Sequence, residues 1–168
     1  PAGTLPKSNS DARRILRRAL AKSTPGSHQA RDIQYVLRLS DRYLRSGVSV
    51  GRRRTVARTL RINAWWYARR IAPKPKQRGL TLREPDGVLA SYWEGRGFAV
   101  NPVGTTGRWF GLNRDIGPVG LAEALLPLSV KRTYQGKPYL VWEYYDVPDQ
   151  PGVIRPGVSG MAQGRVAQ

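Results

Sequence analysis

Apolar residues recur at helical spacing through the first 72 positions of the chain. Three segments carry this pattern, and turn-forming residues follow each of them. The pattern predicts one helix from a cap at Ser10 or Asp11 to about Ser23, a second over 28–46 and a third over 52–72. Because Pro73 and Pro75 cannot continue a helix, an extended basic linker is expected after the third one.

After Gly79 the pattern changes to short apolar runs separated by turns. The run 88–93, which follows Pro85-Asp86-Gly87, predicts a strand, and 98–100 predicts its hairpin partner. A helix is predicted over 118–130 and another strand over 139–145, after a turn at 135–138. The expected fold class is α+β and mainly α, with a basic helical region at 1–79 and a second region at 80–168.

Composition excludes several kinds of site. The chain has no cysteine, so disulfides and thiolate metal sites are excluded, and its one histidine, His28, lies in a polar turn. We therefore expect neither a metal site nor a cofactor. The sequence also lacks a run of about 18 apolar residues, so no transmembrane segment is expected.

The charge points to an anionic partner. The formal net charge is +18, and most of the 29 basic residues are arginine. The arginine side chain can form bidentate hydrogen bonds with carboxylate, sulfate or phosphate groups. Nucleic acid, anionic lipid and acidic polysaccharide all fit this charge, and a solvated basic surface would also account for it.

The amino-acid composition also restricts which residues could be catalytic. With one histidine and no cysteine, the common nucleophile triads are excluded, and proton transfer would fall to Tyr, Glu, Asp, Lys or Arg. Aromatic rings mixed with arginine and amide groups suit a carboxylated sugar chain, or single-stranded nucleic acid. Trp93 and Trp109 are alternatively core residues of a small sheet, and Glu143 with two tyrosines forms a second cluster. The candidate substrate-binding residues are Tyr92, Arg96, Asn101, Arg108 and Gln163.

The segment from Pro156 to Arg165 predicts a turn followed by the start of a closely packed helix. Gly160, Ala162 and Gly164 leave one surface of this helix almost without side chains. A helix of one turn is not stable alone, so we expect Gln168 to be a truncation point.

Three segments of the second region carry motifs. The first is Glu84-Pro85-Asp86-Gly87-Val88. The second combines Asn101-Pro102-Val103 with Phe110-Gly111-Leu112. The third and most specific is the Pro-Gly-x-Ser-Gly-Met-Ala-Gln-Gly run that begins at Pro156. In this order the three segments resemble the D-glucuronyl C5-epimerases, and the resemblance covers about residues 80–168.

The resemblance implies an enzyme that converts glucuronate to iduronate within an acidic polysaccharide. The enzyme removes the proton on carbon 5 and returns it to the opposite face, often with tyrosines, while a cation stabilises the carbanion. The resemblance also implies a fold in which β-structure leads into an (α/α) toroid. We further expect an extracytoplasmic or secreted protein.

The chain departs from this family at three points. A tryptophan is missing around Val158, and Phe110 stands where animal members have tyrosine. The family's main catalytic tyrosines lie beyond the last matching run, so the catalytic residues are unknown and these 168 residues alone are expected to be inactive. Two alternatives remain open: a non-catalytic domain that binds acidic glycans, and a basic nucleic-acid-binding module that uses Arg52-Arg53-Arg54 near Trp65-Trp66.

Overall fold

The fold is α+β and mainly α, as the sequence predicts. The computed structural model describes residues 5–69, 80–107, 115–145 and 156–158. Its helices are α1 (Asn9–Ala21), α2 (His28–Tyr43), α3 (Val50–Tyr67), α4 (Pro102–Gly107) and α5 (Gly117–Leu125). Its strands are β1 (Thr81–Arg83), β2 (Leu89–Trp93), β3 (Gly97–Val100), β4 (Val130–Tyr134), β5 (Lys137–Val141), β6 (Glu143–Tyr144) and β7 (Gly157–Val158).

The first three helices confirm the helical periodicity but correct its boundaries. The N-cap of α1 is Ser8, rather than Ser10 or Asp11, because the Ser8 hydroxyl accepts the Asp11 amide at 3.1 Å. Ser27 caps α2 in the same way through the Ala30 amide, 3.2 Å away. The third helix begins at Val50, two residues earlier than predicted, and ends at Tyr67.

Helix α3 is the centre of the fold. Buried residues lie on all its sides, since α1, α2, β3 and the 3₁₀ turn Leu126–Leu128 all contact it. Gly51 allows α3 to approach the backbone that follows the 3₁₀ turn, because a Cβ atom there would overlap the carbonyl oxygen of Ser129. Thr55 strengthens the same contact by donating its hydroxyl to the Leu128 carbonyl at 3.2 Å.

Strands β1, β2 and β3 form an antiparallel sheet in that order. The β2–β3 hairpin confirms the prediction, while β1 was not predicted. Alternation along β2 sends Ala90 and Tyr92 to the face that packs on Ile62 of α3. The sheet therefore packs directly against the helical region.

The C-terminal described elements differ from the prediction. Helix α5 ends at Leu125 instead of 130, because Pro127 cannot continue an α-helix and a 3₁₀ turn replaces it. The predicted strand over 139–145 is divided at Trp142, so that β5 pairs with the unpredicted β4 and β6 pairs with β7. The proposed helix after Ser159 lies outside the described residues.

Hydrophobic clusters join the two regions of the chain. Val56 of α3 and Tyr43 of α2 share a cluster with Tyr145, while Ile62 shares one with Phe98. Among the described helices, none is both long and apolar enough to cross a membrane.

Candidate functional site

The sheet separates two of the residues predicted to bind substrate. Tyr92 is only 6% exposed and faces the helices. Its neighbour Ser91 points to the opposite face and accepts the Asn101 side-chain amide at 2.8 Å. Tyr92 and Asn101 thus lie on different sides of the sheet and do not share a surface.

Tyr92 belongs to a buried cluster around Asp32 of α2. The hydroxyls of Tyr67 and Tyr92 donate to Asp32 Oδ2 at 2.6 and 2.9 Å. Burial raises the pKa of Asp32, although these two hydroxyls and the amides of Gly95 and Gly97 act in the opposite direction. Burial also raises the pKa of each tyrosine, with the Asp32 charge adding to the effect. Neither tyrosine is therefore prepared to accept a proton at neutral pH.

The other predicted binding residues have varied positions. Asn101 directly precedes α4, and its side-chain oxygen accepts the Gly104 amide at 2.7 Å, which is a capping role. Arg96 is half-buried in the β2–β3 turn. Trp93 is 43% exposed instead of lying in the core, and it shares the sheet face of Ser91. Arg108, Trp109 and Gln163 lie outside the described residues.

The Glu84–Val88 segment, which carries part of the family resemblance, is a turn fastened to α3. Gly87 has φ +83° and donates its amide to the Glu84 carbonyl at 2.9 Å. Arg58 contacts the carboxylates of both Glu84 and Asp86. In the described structure these residues position a turn.

The second aromatic cluster of the sequence contains a buried carboxylate. Glu143 is 2% exposed and accepts Arg52 Nε at 2.8 Å and Arg52 Nη2 at 2.6 Å. Arg132 Nη2 and the Tyr145 hydroxyl also donate to it, at 2.7 and 2.8 Å. We call these four residues the glutamate cluster.

The glutamate cluster carries an excess positive charge. Burial opposes ionisation of Glu143, but the hydrogen bonds from Arg52, Arg132 and Tyr145 outweigh it and keep the pKa of Glu143 below its ordinary value. The pKa of Tyr145 is raised by burial and by the Glu143 charge. Two guanidinium groups thus share one carboxylate, and the cluster has no residue suited to accept a proton.

An open depression of about 390 Å³ lies where α1, α2 and α3 meet. Leu44, Val50 and Ala57 supply apolar contacts, and Asn9 supplies an amide. Two exposed arginines, Arg53 and Arg54, complete the lining; neither has a carboxylate partner within the described part of the chain. We call this the arginine depression.

The Arg52-Arg53-Arg54 run therefore divides between two roles. Successive helical residues differ in direction by about 100°, so Arg52 reaches Glu143 while the next two residues line the depression. The arginine run was visible in the sequence, but its partners were not. A charged Glu143 within an otherwise aromatic segment was the available signal for a buried ion pair.

Over the described ranges, no group of three or more His, Asp or Glu side chains is placed to hold a metal ion. His28 Nδ1 lies 2.7 Å from a carboxylate oxygen of Glu94, where the β2–β3 turn approaches the start of α2. No protein-family model, curated protein or solved structure matches this chain.

Proposed function

We propose that this protein binds an acidic, uronate-containing polysaccharide and is part of a uronate C5-epimerase. In this proposal the described residues bind the polymer, and proton transfer belongs to residues outside them. The arginine depression carries the binding part of the proposal. The resemblance of residues 80–168 to the D-glucuronyl C5-epimerases supports the epimerase part of the proposal.

The depression suits a carboxylated sugar in size and chemistry. Its volume of about 390 Å³ falls in the usual range for small-ligand sites. Arg53 and Arg54 offer planar donor groups for a carboxylate. The side chains of Leu44 and Val50 offer apolar surface for the C–H face of the sugar ring, and the Asn9 amide offers polar contacts to its hydroxyls.

The buried tyrosines support the division between binding and proton transfer. The pKa values of Tyr67, Tyr92 and Tyr145 are all raised, chiefly by burial. A general base works best with a pKa near the operating pH. These three residues therefore fit structural roles.

Thermal unfolding with heparosan, a polymer that contains glucuronate, tests binding. A ligand at 100 times its Kd stabilises a protein by about 2.7 kcal/mol, which corresponds to a rise in Tm of roughly 5–10 °C for a chain of this size. The double variant Arg53→Ser/Arg54→Ser should lose most of this rise. The matched control is Arg17→Ser/Arg18→Ser, which removes the same charge from exposed positions of α1.

Two further measurements distinguish the parts of the proposal. Deuterium from solvent entering carbon 5 of heparosan, in the presence of the natural full-length protein, supports the epimerase assignment. Binding without exchange favours a glycan-binding domain instead. A larger Tm rise with single-stranded DNA than with heparosan favours the nucleic-acid-binding alternative and contradicts the proposal.

A further inference from the structure

The β4–β5 hairpin projects from the protein with both faces exposed. Residues 131–140 are all exposed, and only the ends of the hairpin, Val130 and Val141, are buried. Gln135 and Gly136 form the tight turn, each with a positive φ. An isolated two-stranded hairpin is marginally stable in water, so contacts at its base matter.

The base of the hairpin is fixed to the helices. Arg132 donates to Glu143, which also binds Arg52 of α3. Trp142, directly after β5, donates its indole N–H to the Leu125 carbonyl at 2.8 Å. The hairpin is therefore held in a defined position while its two strands stay open to solvent.

One face of the hairpin combines aromatic rings with cations. The register places Arg132 opposite Tyr139 and Tyr134 opposite Lys137, and directly opposed residues share a face. The two tyrosines are 67% and 44% exposed in chain order. We call Arg132, Tyr134, Lys137 and Tyr139 the hairpin face.

Charge restricts what can cover this face. Residues 130–142 contain Lys131, Arg132 and Lys137 and no acidic residue. A second copy of the chain, with its net charge of +18, would be repelled. The tyrosine rings add large flat apolar surfaces with a hydroxyl at the edge. An occupant with anionic groups, ring faces and many hydroxyls matches the basic side chains, the flat ring surfaces and the tyrosine hydroxyls of this face.

We propose that the hairpin face is a second binding surface for an acidic polysaccharide. Tyr134 and Tyr139 stack on sugar rings, and Lys137 pairs with a carboxylate. Arg132 contributes as well, because its side chain is 40% exposed and Glu143 uses only part of its five N–H donors. The identity of the polymer rests on the proposed function, since the same chain of sugars would occupy the arginine depression.

The decisive comparison uses neighbouring residues on opposite faces. Tyr139 and Leu140 have the same exposed fraction, 44%, but only Tyr139 belongs to the hairpin face. Tyr139→Ala should weaken the binding of heparosan by about 5-fold or more, a loss in the range measured for ring stacking. Leu140→Ala should change the Kd by less than about 2-fold, and Tyr139→Phe should retain most of the affinity.

A second pair of variants controls for local unfolding of the hairpin. Lys137→Gln removes a charge from the hairpin face, and Lys131→Gln removes one from the opposite face. Only the first change should weaken binding several-fold. Equal effects within both pairs, while Arg53→Ser/Arg54→Ser still weakens binding, would overturn this inference and leave the proposed function standing. Failure of the unaltered protein to bind heparosan overturns both, and an effect of Tyr139→Ala seen only with single-stranded DNA overturns the choice of a glycan.

Discussion

Arg52 of α3 and Glu143 of β6 form a two-point ion pair across 91 positions of sequence, with N–O distances of 2.8 and 2.6 Å. This pair fixes the base of the β4–β5 hairpin to the central helix, because Arg132 of β4 binds the same carboxylate. A local pattern could not reveal the pairing, since its partners come from distant elements.

Glu143→Gln should lower the free energy of unfolding by about 2–3 kcal/mol, because the neutral amide loses the charge-assisted hydrogen bonds from Arg52 and Arg132. Chemical denaturation at pH 7 measures this. Glu123→Gln, at an exposed position of α5, is the matched control and should change stability by less than about 0.5 kcal/mol.

The same pair predicts a pH dependence. The pKa of Glu143 in the folded protein lies below its ordinary value of 4.5, so the unfolded chain binds a proton more readily. The contribution of the pair is therefore present above pH 4.5 and is lost as the pH falls further. The stability difference between the unaltered protein and Glu143→Gln should shrink below that pH. A constant difference from pH 7 to pH 3 would contradict the ion-pair interpretation.

Gly51→Ala should destabilise the fold by about 1–3 kcal/mol, as overpacking of a tight contact does. The added Cβ would overlap the Ser129 carbonyl oxygen, which is backbone and cannot rotate away. Gly120→Ala in α5 is the control, because its Cβ would meet a side-chain methyl group, Ile116 Cγ2, at 3.1 Å, and a shift of a few tenths of an ångström relieves that contact. That change should be neutral, or stabilising by up to about 1 kcal/mol. Equal Tm values for the two variants would show that the contact at Gly51 is not tight.

Tyr92→Phe distinguishes a structural tyrosine from one that binds substrate. Loss of its hydroxyl removes one of the hydrogen bonds to buried Asp32 and should cost about 1–2 kcal/mol of unfolding free energy. The Kd for heparosan should not change, because Tyr92 is buried against the helices. Unchanged stability with weaker binding would restore Tyr92 as a substrate contact.

Arg58→Lys should weaken the attachment of the Glu84–Val88 turn. Arg58 reaches the carboxylates of Glu84 and Asp86 through different nitrogens, which a single ammonium group cannot reproduce. We expect a loss of about 1–2 kcal/mol in urea unfolding. The exposed change Arg38→Lys on α2 should have little effect. A loss for Arg38→Lys equal to that for Arg58→Lys would contradict this role of Arg58.

The sequence predicted the elements whose apolar residues stand between distinct turn residues. Helices α1 and α2 show a clear apolar period, and the β2–β3 hairpin is a pair of short apolar runs that are buried on both faces. Strand β4 was missed because residues 131–134 are exposed on both faces and carry no alternation. Helix α5 was predicted too long because the helical spacing of leucines continues to Leu128, past the break that Pro127 causes.

The candidate site was less predictable than the fold. Asp32 lies at helical spacing from Val36 and Leu39, so a carboxylate on an apolar helix face was a visible signal of a buried polar contact. Its partners Tyr67 and Tyr92 come from other elements, and no local pattern indicates them. The arginine depression likewise depends on how three helices meet.

In the proposed function, Arg53 and Arg54 recognise the carboxylates of the polymer. The decisive measurement compares the Kd of intact heparosan with the Kd of heparosan whose carboxylates have been reduced to alcohols, at about 0.15 M salt. The unaltered protein should prefer the intact polymer by about 10-fold or more, which corresponds to about 1.4 kcal/mol. The Arg53→Ser/Arg54→Ser variant should lose most of that preference. The same preference in both proteins, or none in either, would contradict recognition of carboxylates by these two arginines.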